Sequence, residues 1–154
     1  MATIELVASA DIQAAPERIW ELVCDTSRYS EWVAGTDAVT RTDGPASLGS
    51  TYAEINPILG PWKAKTTWTV VEFDPPRRQV HRTEDIPIAS EFVVVMEVAP
   101  AGDASTVMIT LRATSSLGPL GAGLFAVLKP QTRRDNERSV RNLAELASRE
   151  LSQQ

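Results

Sequence analysis

Between Thr36 and Thr114 the chain has no stretch long and amphipathic enough to make a helix, and this constrains its fold more than any other feature. Six short runs, residues 36–42, 50–55, 62–73, 78–83, 90–98 and 105–114, alternate in polarity or carry strand-forming residues. Turn chemistry separates them: Asp43-Gly44-Pro45, Asn56-Pro57 with Gly60-Pro61, Asp74-Pro75-Pro76, and Ala99-Pro100-Ala101-Gly102-Asp103. Runs of this kind with tight breaks predict strands joined as hairpins. Parallel strands need a crossover of roughly a dozen residues or more, usually helical, and there is no room for one. The prediction is an antiparallel meander.

The flanks have different periods. Ile4, Leu6, Ala8, Ala10 and Ile12 share one parity and predict a half-buried strand over residues 3–12. Pro16 suits a first helical position, and Ile19, Trp20 and Val23 recur at helical spacing up to Cys24. Asp25 or Thr26 is placed to cap a second short helix through Trp32, which Gly35 ends. Beyond Gly118-Pro119 the helical period returns. Leu120, Leu124, Val127 and Leu128 group together, and Val140, Leu143, Ala144, Ala147 and Leu151 form a second stripe. Pro130 lies between the groups and is expected to kink or split the helix. The fold class is therefore α+β. It has a seven-stranded curved antiparallel sheet, two short helices after the first strand and one long C-terminal helix. A curved sheet covered by one helix leaves space between them, and a small molecule would sit there.

At 154 residues and 43% apolar composition the chain reads as one domain over residues 1–154, able to bury a core without staples. The longest nonpolar stretch, 118–128, is about half the roughly 20 residues of a membrane span, so no integral membrane association is expected. Residues 1–9 carry Glu5 and no Lys or Arg, unlike a secretory signal, and a cytoplasmic location is expected. The net charge of −5 argues against a non-specific nucleic-acid binder. One cysteine and one histidine exclude an intrachain disulfide and a zinc site of the usual Cys/His kind, and no cofactor is expected. Cys24 reads as a small buried hydrophobe. Monomer and homodimer both stay open.

Three stretches carry a resemblance. Residues 15–22 (Ala-Pro-Glu-Arg-Ile-Trp-Glu-Leu), residues 25–32 (Asp-Thr-Ser-Arg-Tyr-Ser-Glu-Trp) and residues 70–78 (Val-Val-Glu-Phe-Asp-Pro-Pro-Arg-Arg) are involved. They are similar to the first helix, second helix and a strand-end turn of the START/Bet v 1-like (SRPBCC) helix-grip superfamily. More narrowly, they resemble its bacterial branch of polyketide cyclase/dehydrase and lipid transport proteins. Ser30 stands where that family commonly has proline. The resemblance implies a helix-grip fold and a cavity for a small hydrophobic ligand: a lipid, fatty acid, quinone or polyketide-like molecule. Its alternatives are a polyketide cyclase/dehydratase enzyme and an interaction protein or toxin with a vestigial cavity. The family has no universal catalytic motif to carry over.

Residue by residue, Trp62 and Trp68 share a face with Ala64, Thr66 and Val70, and either line the cavity or fill the core. Phe92 and Met96 share a face with Val94 and Val98 and are read the same way. Trp32 is a packing anchor with ligand contact as its second reading. Leu124 and Asn136 are the helix's candidate ligand contacts. Asn136 falls, with Lys129, Arg133 and Glu137, where the apolar stripe is broken, and it faces either the cavity or solvent. In the last run Val107, Ile109 and Leu111 oppose Met108, Thr110 and Arg112, and parity does not choose the inner set. His81 shares parity with Gln79 and Thr83, which predicts an exposed or polar-rimmed position. His81, Tyr52, Glu54 and Arg112 are candidate proton donors or acceptors, though none sits in a diagnostic constellation. With one histidine and no nucleophile elbow, hydrolase chemistry is disfavoured. Gly118, Gly121 and Gly123 are too loosely spaced for a phosphate cradle and suit close helix–sheet approach or a mobile lid. A binding protein is thus favoured over an enzyme.

Overall fold

The computed structural model describes residues 2–152. The first strand, β1, covers Ala2–Ile12. Helix α1 covers Pro16–Cys24, with Pro16 at its start and Ile19, Trp20, Val23 and Cys24 on its buried face. The second short helix is divided: a 3₁₀ turn, Thr26–Arg28, leads into α2, Tyr29–Trp32. Neither Asp25 nor Thr26 caps it. Asp25 instead accepts from Ser27, and the Thr26 hydroxyl donates to the Gly44 carbonyl at 3.0 Å.

Six strands follow: β2 (Ala38–Thr42), β3 (Thr51–Leu59), β4 (Trp62–Asp74), β5 (Arg78–Thr83), β6 (Glu91–Ala101) and β7 (Ala104–Ser115). The described residues form one seven-stranded sheet ordered β1-β7-β6-β5-β4-β3-β2, with every pair antiparallel. The meander is as expected, and β1 closes it by pairing with β7. Asn56-Pro57 does not end β3, which runs on to Leu59 with a register irregularity between Pro57 and Leu59. A second irregularity lies between Val70 and Glu72. Such irregularities bend a strand and increase its twist, which suits a sheet curved around one side.

The inner face carries Ala8, Tyr52, Trp68, Val70, Met96, Val98, Val107 and Ile109, packed against α1 and α2 and against Val140, Leu143, Leu146 and Ala147 of the last helix. This settles the parity of β7: Val107 and Ile109 point inward, while Met108 and Arg112 are exposed. Val80, Val93 and Val95 make a separate cluster.

The last helix, α3, covers Pro119–Ser152 without a break. Pro130 does not split it. The missing bond would run from residue 130 to the carbonyl of Ala126, and both residues are exposed, so water reaches that carbonyl. Thr132 donates to the Leu128 carbonyl at 3.0 Å in the same turn. Gly121 is required for another reason: a Cβ there would run into Ser115 Oγ. The glycine therefore brings the start of α3 close to the end of β7. The two halves of α3 differ in cover. The C-terminal half packs down fully, whereas Leu120 and Val127 are 66% and 68% exposed. Under the N-terminal half the helix and sheet separate. Among the described residues no helix is long and apolar enough to cross a membrane.

Candidate functional site

The space beneath the N-terminal half of α3 is a cavity of about 200 Å³. Alternation builds its walls. On β3, Tyr52, Glu54 and Asn56 share the inward parity, and Trp68 of β4 stands opposite Tyr52. Phe92, Val94 and Met96 of β6 and Ile109, Leu111 and Ala113 of β7 continue the lining, and Phe125, Leu128 and Asn136 of α3 close it from above.

One wall is aromatic. Tyr52 and Trp68 lie nearly parallel with centroids 6.4 Å apart, and Phe92 meets Trp68 edge-on at 5.9 Å. Trp68 Nε1 donates to Thr66 Oγ1 at 2.8 Å, so its polar atom is satisfied within the sheet. Tyr29 of α2 bridges Tyr52 and Trp32, edge-on to both at 5.3 and 5.6 Å.

The opposite character is concentrated at Glu54, which is only 5% exposed. Thr36 Oγ1 donates to its Oε2 at 3.1 Å, and Asn56 Nδ2 donates to its Oε1 at 3.0 Å. Asn56 is itself held by the Gly35 carbonyl at 2.8 Å and by the Thr66 hydroxyl. Burial raises the Glu54 carboxyl to about 7, against the pull of the Asn56 and Thr36 hydrogen bonds. Near neutral pH the group is shared between acid and carboxylate forms, the condition that suits a proton donor or acceptor.

His81 lies behind Tyr52 and is not part of the lining. Parity suggested an exposed or polar-rimmed position; His81 is not exposed but fully buried, with polar partners on both ring nitrogens. The inner face of β5 is polar because these side chains satisfy one another. Tyr52 Oη is 2.6 Å from His81 Nδ1, and His81 Nε2 is 2.7 Å from Gln79 Oε1. A carboxamide oxygen only accepts, so Nε2 carries the proton and Nδ1 receives the tyrosine hydroxyl. Gln79 Nε2 then donates toward Cys24 Sγ at 3.4 Å. Burial pushes the His81 imidazole down to about 3 and the Tyr52 phenol up. Neither changes charge near neutral pH, so this chain of groups fixes the Tyr52 ring and is a poor proton relay. Cys24 is buried, as expected, and burial raises its thiol.

Of the ligand contacts expected from sequence, Trp68, Phe92, Met96, Trp32 and Asn136 come together around the cavity. Asn136 is buried and donates to the Ile109 carbonyl at 3.0 Å, whereas Arg133 and Glu137 face solvent. Besides His81, three candidates fall outside. Trp62 keeps its parity with Trp68 but sits at the hairpin tip opposite Leu59, 45% exposed and beyond the reach of the helix. Leu124 is half-buried and turned from the lining, where Phe125 and Leu128 stand instead. Arg112 is exposed on the outer face and paired with Glu5 at 2.9 Å. Phe125 and Thr36 were missed. Stepping back from Asn136 by helical spacing reaches Thr132, Leu128, Phe125 and Gly121, so the inner stripe was present in the sequence but mixed in polarity. Thr36 heads the run 36–42, but β2 begins only at Ala38, and Thr36 instead reaches Glu54 across 18 residues.

The geometry has many relatives. The profile described as "Polyketide cyclase / dehydrase and lipid transport" matches residues 3–148. Uncharacterized protein Rv1546 of Mycobacterium tuberculosis is 30% identical over 153 residues, 95% of this chain and 99% of that one. Among solved structures, the Zhui aromatase/cyclase from Streptomyces sp. R1128 superimposes with a TM-score of 0.80 at 15% identity, covering 97% of this chain and 96% of that one. TTHA0849 from Thermus thermophilus gives 0.76 at 17% identity, covering 94% and 97%. At such identities the structural likeness speaks for the fold. With the profile spanning nearly all of it, the chain belongs to the polyketide cyclase/dehydrase and lipid transport family.

Proposed function

We propose that this protein binds a small, largely apolar ring molecule in the cavity between its sheet and α3. The observation that carries the reading is the lining itself: an aromatic and aliphatic wall of Trp68, Phe92, Met96 and Ile109 beside one hydrogen-bonded polar cluster around Glu54. Such a mixture gives affinity through apolar burial and orientation through few polar groups. Size narrows the ligand. A volume of about 200 Å³ lies below the ~300–1,000 Å³ of drug-sized pockets and above the ~150 Å³ that accepts benzene. One or two rings fit, whereas a long acyl or isoprenoid chain would leave most of its length outside. Burying about 250 Å² of apolar ligand surface contributes ~6 kcal/mol before the costs of association.

Mass spectrometry of an organic extract of the purified protein tests the reading, followed by tryptophan emission titrated with one- and two-ring phenols and ketones. A co-purified ring compound, or emission quenching that weakens in Trp68→Phe, supports it. No extractable molecule and no response to any ring compound would sink it.

A second reading is cyclase or dehydratase chemistry on a polyketide-like substrate. It is favoured by the carboxyl of Glu54, which lies in the cavity and titrates at about 7. Turnover of a poly-β-ketone that disappears in Glu54→Gln but survives in His81→Gln would support this reading.

A further inference from the structure

We infer that the cavity takes an uncharged ring molecule and rejects the corresponding carboxylate. The inference rests on the ligand-binding reading above and narrows its substrate class.

Charge is the first ground. Among the described residues lining the cavity there is no lysine, arginine or histidine, and two carboxyl groups are present, Glu54 and Asp135. Arg112 is paired with Glu5 on the outer face, and Arg138 reaches Asp135 at 3.4 Å from the exposed side of α3 and offsets that carboxylate, which leaves Glu54 as the carboxyl without a cation. A ligand carboxylate entering this apolar space would lose its hydration, find no counter-ion and face like charge. Each of these disfavours it.

The hydrogen-bond inventory points the same way. Most donors around the cavity are spent within the protein: Trp68 Nε1 on Thr66, Asn56 Nδ2 on Glu54 and Gly35, the Tyr52 hydroxyl on His81, and Thr36 on Glu54. Asn136 Nδ2 spends one N–H on the Ile109 carbonyl and keeps one. Trp32 Nε1 has no acceptor among the described residues, but it is sealed against protein atoms. Acceptor capacity is in surplus, because a carboxyl with two donors still has free lone pairs. With few donors left over and acceptors in surplus, the lining solvates an anion poorly.

Glu54 lies at the Trp32 end of the cavity. The chain leaving Trp32 returns at once to the Glu54 cluster through Gly35 and Thr36. It is tied to α3 by Ala34 N on Ser139 Oγ at 2.9 Å and by Asn142 Nδ2 on the Trp32 carbonyl at 3.2 Å. Trp32 and Glu54 are therefore held by a common set of bonds, on either side of the same loop.

Isothermal titration at pH 8 with 2-naphthol, 2-naphthoate, 2-naphthylmethylammonium and naphthalene tests the inference. Naphthol should bind at least about tenfold tighter than naphthoate, the scale of one uncompensated like charge. Glu54→Gln should narrow the gap between naphthol and naphthoate. Naphthoate binding as tightly as naphthol, or the ammonium ion binding tightest, would overturn the selection. Naphthalene would still bind in those cases, and the cavity reading would stand. Failure of all four probes would remove both.

Discussion

At Glu54 burial and hydrogen bonding pull in opposite directions, and burial wins. The consequence for stability has a definite sign. The carboxyl titrates at about 7 in the folded protein and near 4.5 when free. Between those values the folded state holds a proton that the unfolded chain releases, so this group lowers stability as pH rises from about 4.5 to 7. The full cost above pH 7 is on the order of 3 kcal/mol. Glu54→Gln removes the titration and keeps an oxygen for one of the two donors. Its stability relative to the parent should therefore increase by ~2–3 kcal/mol between pH 5 and pH 8, as measured by urea unfolding at each pH. A difference that stays flat with pH would mean the carboxyl is better solvated than its burial implies. His81 works in the opposite sense. Its imidazole is held at about 3 against 6.5 when free, so the stability it contributes is present above pH 6.5 and is lost as pH falls toward 3. Tyr52→Phe takes the donor from His81 Nδ1 while keeping the ring. A loss of about 1–3 kcal/mol is expected, read from the urea midpoint at neutral pH.

At the scale of elements, α3 decides where the cavity lies. Its C-terminal half is a well-packed amphipathic helix, and its N-terminal half reaches over the sheet, anchored mainly by Gly121 and Phe125. Gly121→Ala places a methyl against Ser115 and should lift this half of the helix. The better helix propensity of alanine offsets only part of the strain, and a net loss of ~1–2 kcal/mol is expected from thermal unfolding. Pro130→Ala should act in the other direction. Both Pro130 and Ala126 are exposed, so the substitution restores a backbone bond without a steric cost. A gain of about 1–3 kcal/mol is expected in the same measurement. If Pro130→Ala instead weakens binding of a ring ligand, the proline shapes the cavity roof as well as lowering helix stability.

For the molecule as a whole, the cavity is the part of the interior that the core does not fill. Filling it should separate binding from folding. Leu111→Trp adds volume from β7 into the space lined by Phe92 and Phe125. It should abolish the response to ring compounds while leaving the melting temperature unchanged or higher, since cavity filling commonly contributes ~0.5–2 kcal/mol. A large drop in melting temperature would show that the space cannot accept the indole and that the lining is tighter than its volume suggests.

Period and turn chemistry alone determined the order of elements, the antiparallel meander and the two-part apolar pattern of the last helix. These are local properties: alternation reflects the pleat, and Gly, Pro, Asn and Asp end strands by their own backbone preferences. The contents of the cavity were decided at long range. His81 and Gln79 read as an outward polar face because their hydrogen-bond partners, Tyr52 and Cys24, lie 29 and 55 residues away. Trp62 read as an inner residue because parity ignores where the covering helix stops. Only the tertiary structure set how far α3 extends over the sheet and which polar groups find partners beneath it, because burial and satisfaction of a side chain depend on neighbours the chain brings from elsewhere.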